Sequence, residues 1–300
     1  MKSKSFLSNT RQSSFYSFLI QKWWLLIIAF SMAVAAFLRL YALDTVPVSP
    51  YWEEVALGYD AYSMYKTGAD HHGNPWPIVA FESFGDWKPS LYFYAIVPFI
   101  HVFDISVLSV RLPAALSGII IVGLIGLLTW KLSTEIWQEE SETSQSFFSK
   151  CSTVFAVVAA TFSPWLIMFS RAGWEVNLAT ALLLGGFISG LYVLSNNSIV
   201  QSSGHYVKIP WLLLTVILLS LSTYAYHGTR FMAPFVGLAL AIWWIIQITK
   251  QYSWRVLGDI FTHNLAQFAL VAITGLLILM PLISSLGSKQ VEQRFFETTI

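Results

Sequence analysis

"PSLYFYAIVPFIHVF", residues 89–103, is the stretch on which the topology turns. It is apolar and aromatic enough to enter a membrane, yet shorter than the roughly 20 residues that cross a hydrocarbon core about 30 Å thick. It opens on Pro89, contains Pro98 and carries His101. It therefore reads as an aromatic-rich helix lying in the interface and not as a span.

Outward from this segment, seven stretches have the length and apolar character of membrane spans: 23–43, 112–132, 152–170, 176–195, 209–226, 231–249 and 264–284. The composition agrees. Hydrophobic residues make up 56% of the chain and charged residues 11%, against roughly 45–50% and 25% for soluble domains. Many of the 13 Trp, such as Trp23, Trp24, Trp130, Trp165 and Trp211, fall near the ends of apolar runs, as in the aromatic belts of membrane interfaces. A net charge of +1 supplies no field for nucleic acid, which is excluded as a partner. The lone Cys151 excludes an intrachain disulfide framework. The expected fold class is an all-α polytopic membrane protein.

If 89–103 does not cross, the loop 44–111, the corners "SRAGWE" (170–175) and "YHGTR" (226–230), and the tail after 285 share one side. The other side receives the N-terminus and the loops around 133–151, 196–208 and 250–263. Lys2, Lys4, Arg11 and Lys22 precede the first span, which makes that side cytoplasmic by the positive-inside rule. The long basic region before the apolar core reads as an uncleaved anchor and not a signal peptide. The expected organisation is a cytoplasmic segment 1–22, a membrane module 23–285 with its external loop 44–111, and the start of a further external loop at 286–300. "SNNSIVQSSGH" at 195–205 reads as a short cytoplasmic loop.

The external loop concentrates the ionisable residues. "YWEEVALGYDAYSMYKTG" spaces its aromatic residues as one face of a helix that lies on the membrane and ends at Gly68. Glu53 and Glu54 stand at its start, where carboxylates complement the helix dipole. Adjacent carboxylates also suit a general base or a divalent cation site, and sequence alone leaves both open. Lys88 is expected at the top of the second interfacial helix, snorkelling to headgroups or binding a lipid phosphate. Arg111 has the same two readings, with snorkelling preferred. Arg171 and Glu175 are spaced for an i,i+4 pair, or for function at the end of a span. His227 and Arg230 repeat that pattern. His227 alone suits a structural hydrogen bond, and His71 with His72 is a weak metal signal.

Taken together, "FLRLYALDTVPVSPYWEEVALGYDAYSMYKTGADHHGNPWP", "FGDWKPSLYFYAIVPF", "SVRLPAALSG", "SPWLIMFSRAGWEVN" and "TYAYHGTRFMAPF" resemble the bacterial glycosyltransferase family 39-type proteins of the GT-C superfamily. This group is similar to the protein O-mannosyltransferases and the lipid A aminoarabinose transferase. The resemblance runs from about residue 37 to 300. It implies a bundle of about seven transmembrane helices with two interfacial helices in the first external loop. It also implies transfer of a sugar from a polyprenyl-phosphate carrier, on the outer face of the cell membrane, to a protein, lipid or glycan acceptor by inverting displacement.

The family's Asp-Glu pair aligns with Glu53 and Glu54, so Glu53 stands one methylene longer where the family has its base. His71 stands where the family often has an acid. By the same resemblance Lys88 holds the carrier phosphate, with Arg171 or Arg230 beside it, and Glu175 faces the site. Asp70, His71, Asp86, Tyr92 and His227 complete the expected substrate-binding set. The sequence names no cofactor and leaves dependence on a divalent cation open. Relatives continue through a large external loop and further spans, so the chain is expected to be an N-terminal fragment or one of a split pair, with Arg294 a further phosphate candidate. Two other functions compete. A transporter for a lipid-linked substrate would want charges at mid-membrane, whereas these lie at one surface; a non-catalytic subunit descended from the enzyme would explain Glu53.

Overall fold

The computed structural model describes residues 4–83, 85–137, 141–194, 208–251 and 254–288. The polar stretch 195–205 and Arg294 lie outside the described residues. Helix α1 (Lys4–Leu40) continues from the N-terminal segment into the first span. Then come α2 (Trp52–Thr67), an antiparallel hairpin of β1 (Ala80–Ser83) and β2 (Asp86–Pro89), and α3 (Leu91–Phe103). The remainder is helical: α4 (Val107–Ile136), α5 (Glu142–Phe162), α6 (Pro164–Arg171), α7 (Val176–Leu194), α8 (Ile209–Ser222), α9 (His227–Gln251), α10 (Trp254–His263) and α11 (Leu265–Ser284). The protein is an all-α polytopic membrane protein apart from its one short hairpin.

Among the described residues five helices are long and apolar enough to cross a membrane, and six if the α5–α6 pair is one broken span. That pair bends by 51° at Ser163, whose hydroxyl caps α6 ahead of Pro164, a helix-start signal inside the expected span 152–170. The expected span 209–226 is shorter than anticipated. Its helix has 14 residues, about 21 Å at 1.5 Å per residue, because the chain turns at Ser222–Thr223 with side chains bonded back to the preceding carbonyls. Likewise 250–263, expected as a loop, contains α10. Helix α3 has 13 residues, in keeping with a segment too short to span.

Two kinds of contact hold the bundle. Where α7 meets α8, small residues permit close approach: a Cβ on Gly186 would lie 2.8 Å from Leu219 Cδ2. At the end of α1, fully buried Arg39 donates to the carbonyls of Ala160 (3.3 Å) and Thr161 (3.4 Å) and to Ser170 Oγ (3.3 Å). The site rests on a separate apolar cluster, in which Leu57 and Ala61 of α2, Phe81 of β1, Phe93 and Ile96 of α3, and Val110 of α4 are buried together. This cluster fixes α2, the hairpin and the start of α4 relative to one another.

Candidate functional site

Helix α2 begins with Glu54 at its third position, where the carboxylate accepts the backbone N–H of Tyr51 at 2.8 Å. Carboxylates are favoured there because the first N–H groups of a helix lack intrahelical partners. Glu54 also accepts Arg111 Nε at 2.7 Å, Arg111 Nη2 at 3.1 Å and the backbone N–H of Gly173 at 2.7 Å. Burial pushes its carboxyl up, but the Arg111 guanidinium and the two backbone donors outweigh that and hold it below the ordinary range. Arg111 is fully buried and donates further to the carbonyls of Leu43 (3.1 Å) and Pro47 (3.0 Å). It does not snorkel. A guanidinium that meets a carboxylate through two nitrogens is better satisfied inside than at the headgroups.

Glu53, the next residue back, faces elsewhere. Its Oε1 accepts Lys88 Nζ at 2.8 Å, and Lys88 lies over the Trp52 ring, 5.8 Å from its centroid. Lys88 is 1% exposed, whereas the Glu53 side chain is 24% exposed. Lys88 sits on β2, not at the head of a helix; its cross-strand partner is Phe81, and Gly85 at φ 77 makes the turn between the strands. Because Glu53 and Glu54 each meet a different cation, they do not form a shared divalent site. Among the described residues no three of His, Cys, Asp and Glu converge.

A second polar pair lies further along the same helix. Asp60 follows Glu53 by seven residues, hence on the same face, and its buried Oδ1 meets His71 Nδ1 at 2.5 Å. Burial pushes the Asp60 carboxyl up, and the His71 contacts hold it partly back. The buried Ser83 hydroxyl of β1 lies beside this carboxylate without reaching hydrogen-bond geometry. Neither Asp60 nor Ser83 belongs to the site expected from sequence. The acid two turns on from Glu53 was the available signal for Asp60; Ser83 gave none, because only the hairpin brings it there.

The other expected residues hold the scaffold. Asp70 Oδ1 accepts the backbone N–H groups of His72 (3.0 Å) and Asn74 (2.9 Å), which shapes the loop that presents His71. Tyr92 is fully buried, donating to the Val110 carbonyl at 2.9 Å; burial, and then the nearby Glu175 carboxylate, push its hydroxyl well up. It packs in the core and lines no open site. Arg171 caps α1 through the carbonyls of Leu38 (2.8 Å) and Ala42 (3.3 Å) and also holds Val46 (2.8 Å). Helix α6 ends at Arg171 and Ala172 is extended, so no continuous helix sets up the i,i+4 pairing with Glu175. His227 Nε2 bonds the Trp87 carbonyl at 2.8 Å, and Arg230 reaches the carbonyls of Thr223 (3.3 Å) and Val79 (3.4 Å). Both steady the hairpin that carries Lys88. Asp86 lies on β2 opposite Ser83.

The structure thus brings Glu53, Lys88 and Trp52 together at the start of α2, and Asp60, His71 and Ser83 at its middle. A cavity of about 170 Å³ borders Glu54, Pro50 and Ser106, and a larger, apolar one of about 340 Å³ is lined by residues of α7 to α11. Neither is lined by Glu53 or Lys88.

No family model matches the chain, and no curated protein does. Two solved structures of ArnT from Cupriavidus metallidurans are similar to it. The structure bound to undecaprenyl phosphate gives a TM-score of 0.52 and the apo structure 0.54, each at 16% identity and over 92% of this chain. The matched region is 44% of the ArnT chain, so this chain spans less than half the length of the protein it matches. What the likeness establishes is the fold alone: the chain shares its membrane-helix architecture with the matched part of ArnT.

Proposed function

We propose that the protein takes part in the transfer of a sugar from a polyprenyl-phosphate carrier to a cell-envelope acceptor, at the outer face of a membrane whose cytoplasmic side holds the N-terminus. The observation that carries this reading is the Lys88–Glu53 pair: a buried lysine, held ready by one carboxylate at the start of a short helix, in a fold shared with a protein solved with undecaprenyl phosphate.

The chemistry follows from the pair. As the bond between the anomeric carbon and the phosphate breaks, charge grows on the phosphate, and a preformed cation stabilises that charge. Lys88 supplies it. An arriving phosphate competes with Glu53 for the lysine and leaves the carboxylate open to other partners, so donor binding alters the state of Glu53. Glu53 is then the carboxylate nearest the reacting phosphate, and by resemblance the base.

The test is transfer of labelled sugar in membranes containing the chain, from a panel of polyprenyl-phosphate sugars, with undecaprenyl phosphate binding measured in parallel and a chelator arm for a divalent cation. Binding and transfer by wild type, both lost in Lys88→Ala, support the reading. Binding without transfer points to a non-catalytic subunit. Absence of binding overturns the reading.

A further inference from the structure

An inverting displacement constrains where its base can be. The nucleophile enters opposite the leaving phosphate, so the base and the group holding the phosphate must flank the sugar. In inverting glycosidases the two working groups likewise stand on opposite sides of the reacting centre, with room for the nucleophile between. Glu53 is in direct contact with Lys88, at 2.8 Å, which puts it on the phosphate's side. The Asp60–His71 pair stands apart from Lys88 on the same helix. It lies seven residues along the same face of α2, an axial offset of about 10.5 Å, with the hairpin running alongside: Lys88 meets Glu53 at one end, and Ser83 lies beside Asp60 at the other.

The pair has the construction of an oriented base. Asp60 accepts from His71 Nδ1, and in a neutral ring this leaves Nε2 as the acceptor. Asp60 is 1% exposed, so it cannot turn away to solvent, while the His71 side chain is 27% exposed and reachable by a substrate. His71 meets Asp60 and the Tyr59 ring from α2 and the His72 ring from its own loop, Asp70 precedes it in that loop, and Ser83 of the hairpin lies beside Asp60. Asp70 is committed to the backbone of that loop. Asp60 is therefore the carboxylate in contact with the imidazole.

We propose that His71, oriented by Asp60, is a further catalytic residue that accepts the proton of the acceptor hydroxyl. This rests on the transfer reaction proposed above and moves its base from Glu53 to His71. The acceptor oxygen forms a bond to the anomeric carbon, and the bond from that carbon to the phosphate oxygen breaks with its electron pair leaving on the phosphate beside Lys88. The hydroxyl proton passes to His71 Nε2, and Asp60 balances the imidazolium. The proton is then lost to water. Glu53 keeps Lys88 aligned until the phosphate arrives.

The experiment combines undecaprenyl phosphate binding with sugar-transfer kinetics for wild type, His71→Ala, His71→Gln, Asp60→Asn, Glu53→Gln and Lys88→Ala. The expected result is that His71→Ala binds undecaprenyl phosphate as wild type does, loses transfer by about 10²–10⁴-fold, and recovers part of it with added imidazole. His71→Gln, which preserves the loop but not the proton acceptor, should show the same loss, and the acidic limb of the pH–rate profile should move in Asp60→Asn. Transfer by His71→Gln within threefold of wild type, with Glu53→Gln inactive, overturns the inference and returns the base to Glu53. Failure of wild type to bind undecaprenyl phosphate overturns the transfer reading itself, and this inference with it.

Discussion

Glu53 and Glu54 stand side by side at the start of α2, and the two regions they face differ in how firmly a carboxylate is held. Glu54 is 3% exposed and takes donors from Arg111, Tyr51 and Gly173, so it joins α2, α4, the crossing segment before α2 and the turn before α7. Glu53 is partly exposed and meets Lys88, whose own surroundings are dry. The first region spends its charge on holding the fold together. The second keeps its carboxylate on a single cation at the edge of solvent. Consecutive residues of one type thus divide into scaffold and site, and the difference is the number of donors each meets.

Mutations can break this contrast or sharpen it. Arg111→Ala should have the largest effect, because it strands the buried Glu54 carboxylate and removes donors from the carbonyls of Leu43 and Pro47. Losing one partner of a buried pair typically destabilises by about 3–5 kcal/mol; thermal unfolding in detergent reads this as a large drop in Tm or as lost expression. Lys88→Ala should leave most of the fold intact while weakening undecaprenyl phosphate binding by about 10- to 100-fold, the usual range of about 1.5–3 kcal/mol for a hydrogen bond to a charged group. If Lys88→Ala instead unfolds the protein and Arg111→Ala abolishes binding alone, the assignment of scaffold and site is reversed.

Gly173→Ala tests the tightness of the scaffold region from the side. A Cβ there would lie 2.8 Å from Val110 Cγ1 and 3.2 Å from Glu54 Oε1, and overpacking of this kind destabilises by about 1–3 kcal/mol. The same change at Gly73, where a Cβ meets nothing within 4 Å but φ is 86°, should be milder, reflecting backbone strain alone.

The smallest effect is in the pH dependence, and the two acids on α2 act in opposite senses. The folded-state value of Glu54 is depressed, so its contribution is full above the unfolded carboxylate range, near about 4.3, and is lost as pH falls through the lower folded value. The folded-state value of Asp60 is raised by burial, so the fold favours its protonated form, and that advantage is lost as pH rises through the raised value. Asp60→Asn should therefore leave Tm at neutral pH unchanged or slightly higher. Equilibrium unfolding from pH 7 down to pH 4 of the variant against wild type checks this, and a clear loss of stability in Asp60→Asn would contradict it.

Much of this was legible in the sequence where one segment decided the matter alone. The helix from Trp52 to its end at Gly68 follows from spacing and a glycine in the left-handed region, and the short α3 follows from length and its prolines. The closeness of Lys88 to Glu53 was anticipated in kind, as a lysine and carboxylates serving one external site, but not as contact, since they are 35 positions apart. The hairpin escaped because "AFES" and "DWKP" are brief strands, and β-pairing is decided by tertiary context more than by propensity. Arg111 was misread for the same reason: snorkelling depends on depth, whereas a carboxylate arriving from 57 positions away changes the balance. The partners of Arg171, Arg230 and His227 are backbone carbonyls, which carry no sequence signal at all.

The hairpin's anchorage has a mechanical consequence. Through Glu54 and Arg111 the start of α2, with Glu53, is joined to α4 and the turn before α7. The strand that carries Lys88 is fastened to the other flank, by Trp87 to His227, Val79 to Arg230 and Leu91 to the carbonyl of Tyr224. The 2.8 Å contact between Lys88 and Glu53 thus stands where two sets of anchors meet, above the apolar cluster that α2 and the hairpin share. Braced from both flanks and packed on one core, lysine and carboxylate are kept in register by the fold around them, so their closeness does not depend on their mutual attraction alone.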